Sequence, residues 1–156
     1  MSELMGVRPR RPAPLWLKVV ASLLLVASEP AHAFCFDEAA ARYGVNPYVL
    51  RGIAFVESGF RADSVSRNAD GSIDYGAMQI NSVHLSELKR FGIAPTQLMV
   101  PCTNVMVAAY LYRKKIDRYG NSWLAVGAYH SETPEYRDAY WPKVKAAVDS
   151  WVGSAR

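Results

Sequence analysis

Apolar residues recur at helical spacing along most of the chain beyond residue 33, with one interruption. DEAAARYGV predicts a short first helix. NPYVLRGIAFVES follows, with Asn46 as N-cap, Pro47 at the first helical position and Gly59 as the stop. Val49, Leu50, Ile53, Ala54 and Val56 form its apolar side. Residues 60–76 have no helical period, and Asp70-Gly71 carries the chemistry of a tight turn, so a small two-stranded ribbon is expected there. NSVHLSELKRFG reads as one short helix closed by Gly92. CTNVMVAAYLYRKKIDRYG reads as the longest helix, capped by Thr103 or Asn104 and ended by Gly120. NSWLAVGAYH is a small apolar helix. The last helix starts at Thr133-Pro134, and Pro142 predicts a break or kink near Trp141. The pattern describes a mainly α protein: one helical domain with a small β-hairpin insertion and a groove where the insertion meets the helices.

Residues 1–33 read differently. Arg8, Arg10, Arg11 and Lys18 precede a short apolar run, Val19 to Ala27, and Ala31-His32-Ala33 has small residues at the cleavage positions. This is the pattern of a secretory signal peptide, with the exported domain at 34–156. The run is shorter than the ~18 residues a membrane span requires. Arg10-Arg11 could instead start a twin-arginine signal, but Pro-Ala-Pro follows it. Lipidation of Cys35 is disfavoured by Phe34 before it. The expected location is the periplasm.

The 156-residue chain carries a formal charge of +4, which drops to +2 once the basic leader is removed. That leaves no basic patch of the kind that binds nucleic acid. The chain has 2 cysteines, Cys35 and Cys102. Export into an oxidising compartment makes one disulfide the default, joining the start of the mature chain to the loop before the long helix. Two buried unpaired thiols are the alternative. Neither His84 nor His130 has ligand spacing with a cysteine, so no metal and no cofactor are expected.

The candidate chemistry begins at Glu57. It stands at the C-terminal end of its predicted helix, where the dipole disfavours negative charge, with Phe55, Val56 and Phe60 nearby in sequence. Both features would raise a carboxyl pKa and suit a proton donor. Asp74 lies seventeen residues further on, after the predicted turn, in a polar segment that would keep it ionised. Two carboxyls in contrasting environments are what glycoside hydrolysis uses.

The segment ESGF…RNADGSIDYGAMQINS resembles the active-site region of lysozymes, and more closely that of the lysozyme-like soluble lytic transglycosylases. The carrying blocks are Glu57-Ser58, Gly76-Ala77-Met78-Gln79-Ile80-Asn81 and Ala128-Tyr129, in that order across residues 36–145. The resemblance implies an α+β lysozyme-like fold and cleavage of the bond between N-acetylmuramic acid and N-acetylglucosamine. It makes Glu57 the acid and then the base, leaving a 1,6-anhydro end. It implies that Ser58 orients Glu57 or touches sugar, that Gln79 and Asn81 hydrogen-bond the glycan, that Met78 packs under a sugar ring, and that Tyr129 covers the cleft. Small exported members of the family accompany type III and type IV secretion, conjugation and pilus machines, so the partners implied are peptidoglycan strands and such an apparatus, with the enzyme a monomer.

Two departures keep other readings open. Asp74 at the lysozyme spacing admits a hydrolytic muramidase using both carboxyls. His130-Ser131 follows Ala128-Tyr129 where the family usually has Asn, and His130 could donate to a sugar or simply edge the cleft. A third reading is a non-catalytic glycan-binding assembly subunit. His84 is expected on the surface without a role, and Arg113-Lys114-Lys115 is most simply a solvated helix end.

Overall fold

The computed structural model describes residues 34–153. The leader at 1–33, its cleavage site and the boundary it sets lie outside these residues.

Helix α1 (Phe36–Tyr43) and α2 (Pro47–Ser58) form as their end signals direct. The Asn46 side chain accepts from the Tyr48 N–H at 2.8 Å, and Pro47 opens the first turn. Gly59 closes α2 in the left-handed conformation at φ 63°. The insertion holds three antiparallel strands rather than two: β1 (Val65–Arg67), β2 (Ile73–Tyr75) and β3 (Ile80–Asn81), in the order β1-β2-β3. The Asp70-Gly71 turn forms as expected, with the Gly71 N–H on Asn68 O at 3.0 Å and the Asp70 carboxylate accepting from Ser72 N–H at 2.9 Å. The third strand comes from the Gln-Ile-Asn block, which turns back through Gly76–Gln79 and pairs Asp74 with Asn81.

Residues 82–91 are not one helix. They form a 3₁₀ turn, a single α-helical turn α3 (Leu85–Leu88) and a second 3₁₀ turn, ended by Gly92. Only Leu88 is buried in this stretch, too little apolar surface to hold a longer helix. Helix α4 (Pro101–Tyr119) is 19 residues long and starts two to three residues earlier than its expected caps. Pro101 occupies the first helical position, so neither Thr103 nor Asn104 caps it. Cys102 therefore lies in the first turn of α4 and not in the loop before it. It is joined to Cys35 across 67 residues of sequence.

Helix α5 (Trp123–His130) is packed between α4 and α6 (Pro134–Gly153). Its contact with α6 is close enough that a Cβ on Gly127 would lie 2.6 Å from Arg137 O, so a glycine is required there. Helix α6 runs unbroken past Pro142. Pro142 and Asp138, whose carbonyl loses its donor, are both exposed, which leaves that carbonyl's residue open to solvent and lowers the cost of the proline. The core is Leu50, Ile53 and Ala54 of α2 with Val105, Ala108, Ala109 and Tyr112 of α4, closed by Val126 and Val144. Among the described residues, no helix is long and apolar enough to cross a membrane. The architecture is the expected mainly helical domain with a small β insertion.

Candidate active site

A cleft of about 550 Å³ runs between the sheet, the last turns of α4 and the end of α5. Glu57, Asp74, Gln79, Asn81, Tyr129 and His130 all line it. Ser58 and Met78 do not.

Glu57 is carried on the last turn of α2 with its side chain 13% exposed. Tyr140 of α6 donates its hydroxyl to Glu57 Oε1 at 2.7 Å, and His130 Nδ1 lies 3.7 Å from the same oxygen. The His130 ring stacks flat on Tyr140, with centroids 4.5 Å apart and planes 1° apart. Both close partners sit on Oε1, and Oε2 takes part in none of the hydrogen bonds among the described residues. Burial and the nearby Glu57 charge push the Tyr140 phenol well above its ordinary pKa, so it stays a donor. The sequence expectation placed Phe55 and Phe60 around Glu57. Phe55 is two positions away on the helix and points to the opposite side, 50% exposed, where it packs on Phe60 and Trp151. The surroundings of Glu57 are thus a phenol and an imidazole rather than those two phenylalanines. Tyr140 was not legible as a partner, because it lies 83 residues away and outside the motif blocks.

Asp74 is held differently. Its Oδ1 accepts from Asn81 Nδ2 at 2.7 Å and its Oδ2 from Asn68 Nδ2 at 2.9 Å. Asn81 and Asn68 also bond the Ser72 hydroxyl, at 3.1 and 3.0 Å, so the three strands are laced together around this carboxyl. The Asn81 Oδ1 accepts from Val83 N–H and caps the turn that follows.

The rest of the motif acts from behind the cleft. Met78 is fully buried, so its side chain has no surface on the cleft. Its carbonyl accepts from the Tyr129 hydroxyl at 2.8 Å, and its N–H donates to Asn104 Oδ1 at 2.7 Å. Tyr129 turns a partly exposed ring to the cleft while its hydroxyl is buried, and its phenol is pushed well above the ordinary range by that burial and by Glu57 and Asp74. Ser58 is also buried. Its hydroxyl donates to Ala77 O at 2.8 Å and accepts from Arg61 N–H at 3.0 Å, tying the end of α2 to the turn before β3. Gln79 adopts a left-handed backbone at φ 46°, held by its own amide donating to Gly76 O at 2.8 Å. A non-glycine in that region carries on the order of 1 kcal/mol of strain. Asn104, expected as a cap, is instead the buried tie between α4 and the Gly76–Gln79 turn.

His84 is not a plain surface residue. It lines the cleft with Lys114, Lys115, Arg118 and Glu132. Burial, reinforced by Lys114 and Lys115, lowers its pKa, against a smaller opposing pull from Glu87. Among the described residues, one group has side-chain ligand atoms close enough for a metal, Cys35, Glu38 and Cys102, and its two sulfurs are bonded to each other.

A carboxyl held by a tyrosine and a second carboxyl held by two asparagines thus line one open cleft. The chain belongs to the Transglycosylase SLT domain family, whose model matches residues 34–140. It is 40% identical over 112 residues to protein IpgF of Shigella flexneri, covering 71% of this chain and 74% of that protein. It is 39% identical over 114 residues to invasion protein IagB of Salmonella typhimurium, covering 72% and 71%. It is 34% identical over 118 residues to a peptidoglycan-binding-like protein of Escherichia coli O157:H7, covering 70% and 71%.

Proposed function

We propose that this chain is a peptidoglycan lytic transglycosylase that cleaves the β-1,4 bond from N-acetylmuramic acid to N-acetylglucosamine. The observation that carries the reading is the setting of Glu57: little exposed, oriented by the Tyr140 hydroxyl on one oxygen, and lining the cleft with its other oxygen free of hydrogen bonds among the described residues. In its protonated form Glu57 gives its proton to the glycosidic oxygen, and the glucosamine side leaves as a free 4-hydroxyl. The muramic acid 6-hydroxyl then attacks the anomeric carbon and returns its proton to Glu57, so no water is consumed and a 1,6-anhydro end remains. Asp74, fixed close by as a carboxylate acceptor, favours the cationic sugar electrostatically. Asn81, Gln79, His130 and the Tyr129 ring supply the glycan contacts, while Ser58 and Met78 hold the frame.

In this reading residues 1–33 are a cleaved export leader, and the protein acts as a monomer on wall strands in the periplasm. The relative named as an invasion protein supports a role in opening the wall locally for an envelope-spanning secretion, conjugation or pilus machine. Digestion of purified sacculi tests the reading: muropeptide masses should carry anhydro ends, and Glu57→Gln should lower release at least a hundredfold. Release at the wild-type rate from that variant would refute catalysis at this site. One observation favours a second reading, lysozyme-type hydrolysis: Asp74 shares the cleft with Glu57. In that case the same digest yields only reducing, hydrated muramic ends, and Asp74→Asn is as damaging as Glu57→Gln.

A further inference from the structure

Helix α2 ends on two left-handed residues in a row, Gly59 at φ 63° and Phe60 at φ 64°. The first is enough to stop the helix. The Gly59 N–H reaches Phe55 O at 2.9 Å and the Phe60 N–H reaches Ala54 O at 3.3 Å, which satisfies the last carbonyls. The second is not required by the cap, and a bulky side chain in that region is an outlier. Phe60 has no counterpart to the side-chain amide that holds Gln79 in the same conformation. It lies among four rings instead. Its centroid is 6.3 Å from Phe34, 6.2 Å from Phe36, 6.0 Å from Phe55 and 6.3 Å from Trp151, all within the range of aromatic contact.

Two of these rings are tethered from another part of the chain. Phe34 and Phe36 stack on each other at 5.4 Å, and Cys35 between them is bonded to Cys102 in the first turn of α4. Arg51 of α2 lies over the Phe36 ring at 5.4 Å and pairs with Asp37 at 2.7 Å, which fixes the start of α1 on α2. The bridge thus holds a pair of rings against Phe60. From there the connection to Glu57 is short. Beyond Phe60, the Arg61 N–H comes back to Ser58 Oγ at 3.0 Å, and the same hydroxyl donates to Ala77 O at 2.8 Å. Ser58 directly follows Glu57, so this bracket sets how the last turn of α2 presents the carboxyl to the Tyr140 hydroxyl.

We propose that Phe60 is a positioning residue for Glu57, and that the Phe34-Cys35-Phe36 clamp, locked by the disulfide, keeps the carboxyl on the Tyr140 hydroxyl. The bridge thereby serves the reaction as well as the stability of the fold. The proposal rests on the reading of Glu57 as the proton donor of the cleft.

The test follows cleavage of soluble wall strands, whichever ends result, at a temperature where circular dichroism shows every variant folded. Phe60→Gly suits the left-handed backbone and removes the ring. It is expected to lower kcat about tenfold with KM within about twofold, whereas Phe60→Tyr keeps the ring and should restore kcat. Joint Cys35→Ala and Cys102→Ala substitution should lower kcat by a similar factor. Adding Tyr140→Phe to Phe60→Gly should cost less than the product of the two single losses, because both act on one carboxyl. A wild-type kcat in Phe60→Gly overturns the proposal, since the backbone alone would then hold the site. Fully multiplicative losses with Tyr140→Phe overturn it too. Amide hydrogen exchange separates this from failure of the enzymatic reading. The Arg61 N–H should be protected in the wild type and lose that protection about tenfold in Phe60→Gly and in the bridge variant, while core amides of α4 stay protected. That result supports the clamp even if no strand is cut, and unchanged protection of Arg61 rejects it.

Discussion

Asn104→Ala should be among the most damaging single changes outside the cleft. The Asn104 side chain is fully buried and makes three hydrogen bonds to backbone: Oδ1 accepts from Met78 N–H at 2.7 Å, and Nδ2 donates to Tyr75 O and Leu98 O at 2.9 Å each. Truncation removes all three partners at once. A buried polar group left unsatisfied costs about 1–3 kcal/mol, and water entering the small void recovers part of that. A net loss of about 3–5 kcal/mol follows, a large share of the total stability of a domain this size. At about 3–4 °C per kcal/mol, the midpoint should fall by about 9–20 °C. Urea unfolding followed by far-UV circular dichroism would measure it, with the wild-type slope as the check on two-state behaviour. Asn104→Asp keeps the acceptor for Met78 but loses both donors and places charge against two carbonyls, so it should not rescue. The same tie fixes the turn that carries Gln79 and Asn81 into the cleft, so activity should fall even well below the melting point. A loss under about 1 kcal/mol in Asn104→Ala would refute the reasoning, since it would mean that the turn holds its shape without this residue.

Tyr140→Phe removes the donor to Glu57 Oε1 while keeping the ring against His130. It should cut kcat about tenfold with little change in KM or stability, and a wild-type kcat would contradict an orienting role. His84 has a folded-state pKa below its unfolded value, so the unfolded chain binds the extra proton first. Stability from this group is full above about pH 6.5 and is lost as pH falls through that value; His84→Gln should flatten this part of a stability–pH curve. Glu87, lowered mainly by its hydrogen bonds from Lys114 and Tyr110, acts in a lower window: its contribution is present above about pH 4.3 and disappears below, and Glu87→Gln should flatten only that limb. Reduction of the Cys35–Cys102 bridge, which closes a span of 67 residues, should lower stability by about 4 kcal/mol in the chain-entropy account, and an unchanged urea midpoint after reduction would contradict it.

What the sequence made legible was whatever is encoded locally. Asn46, Pro47 and Gly59 state the bounds of α2 within a few residues of chain, and Asp70-Gly71 states the turn. The disulfide was expected from two cysteines behind a leader patterned like an export signal. What stayed hidden depends on partners distant in sequence. Asn104 looked like a cap because Asn at a helix start usually is one, yet Pro101 had already begun the helix and left the amide free to bond the motif turn. Tyr140 sits in a helix with no motif of its own and meets Glu57 only because α5 lets α6 approach closely at Gly127. The third strand escaped notice because two residues, Ile80 and Asn81, are too few for an alternating pattern. His84 has no signal in sequence to separate a cleft wall from open surface.

The two carboxyls of the cleft are held differently, and the difference lies in their second oxygens. Asp74 has each oxygen occupied by a side-chain amide, and both amides are anchored in turn through Ser72 to the strands. For an acceptor so fully engaged to bond covalently to a sugar carbon, it would have to give up an amide. Among the described residues Glu57 has one hydrogen-bond donor, the Tyr140 hydroxyl on Oε1, and that phenol is held well above its ordinary pKa by burial. In the proposed reaction the other oxygen exchanges the proton with the substrate, first giving and then taking. For the proposed reaction, geometry of this kind suits one acid–base residue better than a pair consisting of an acid and a nucleophile. It therefore favours attack by a hydroxyl that the substrate itself carries. On this account Asp74→Asn, which keeps the shape but loses the charge, should slow the reaction without changing the anhydro product, whereas a switch to hydrated ends in the wild type would show that water reaches the anomeric carbon first.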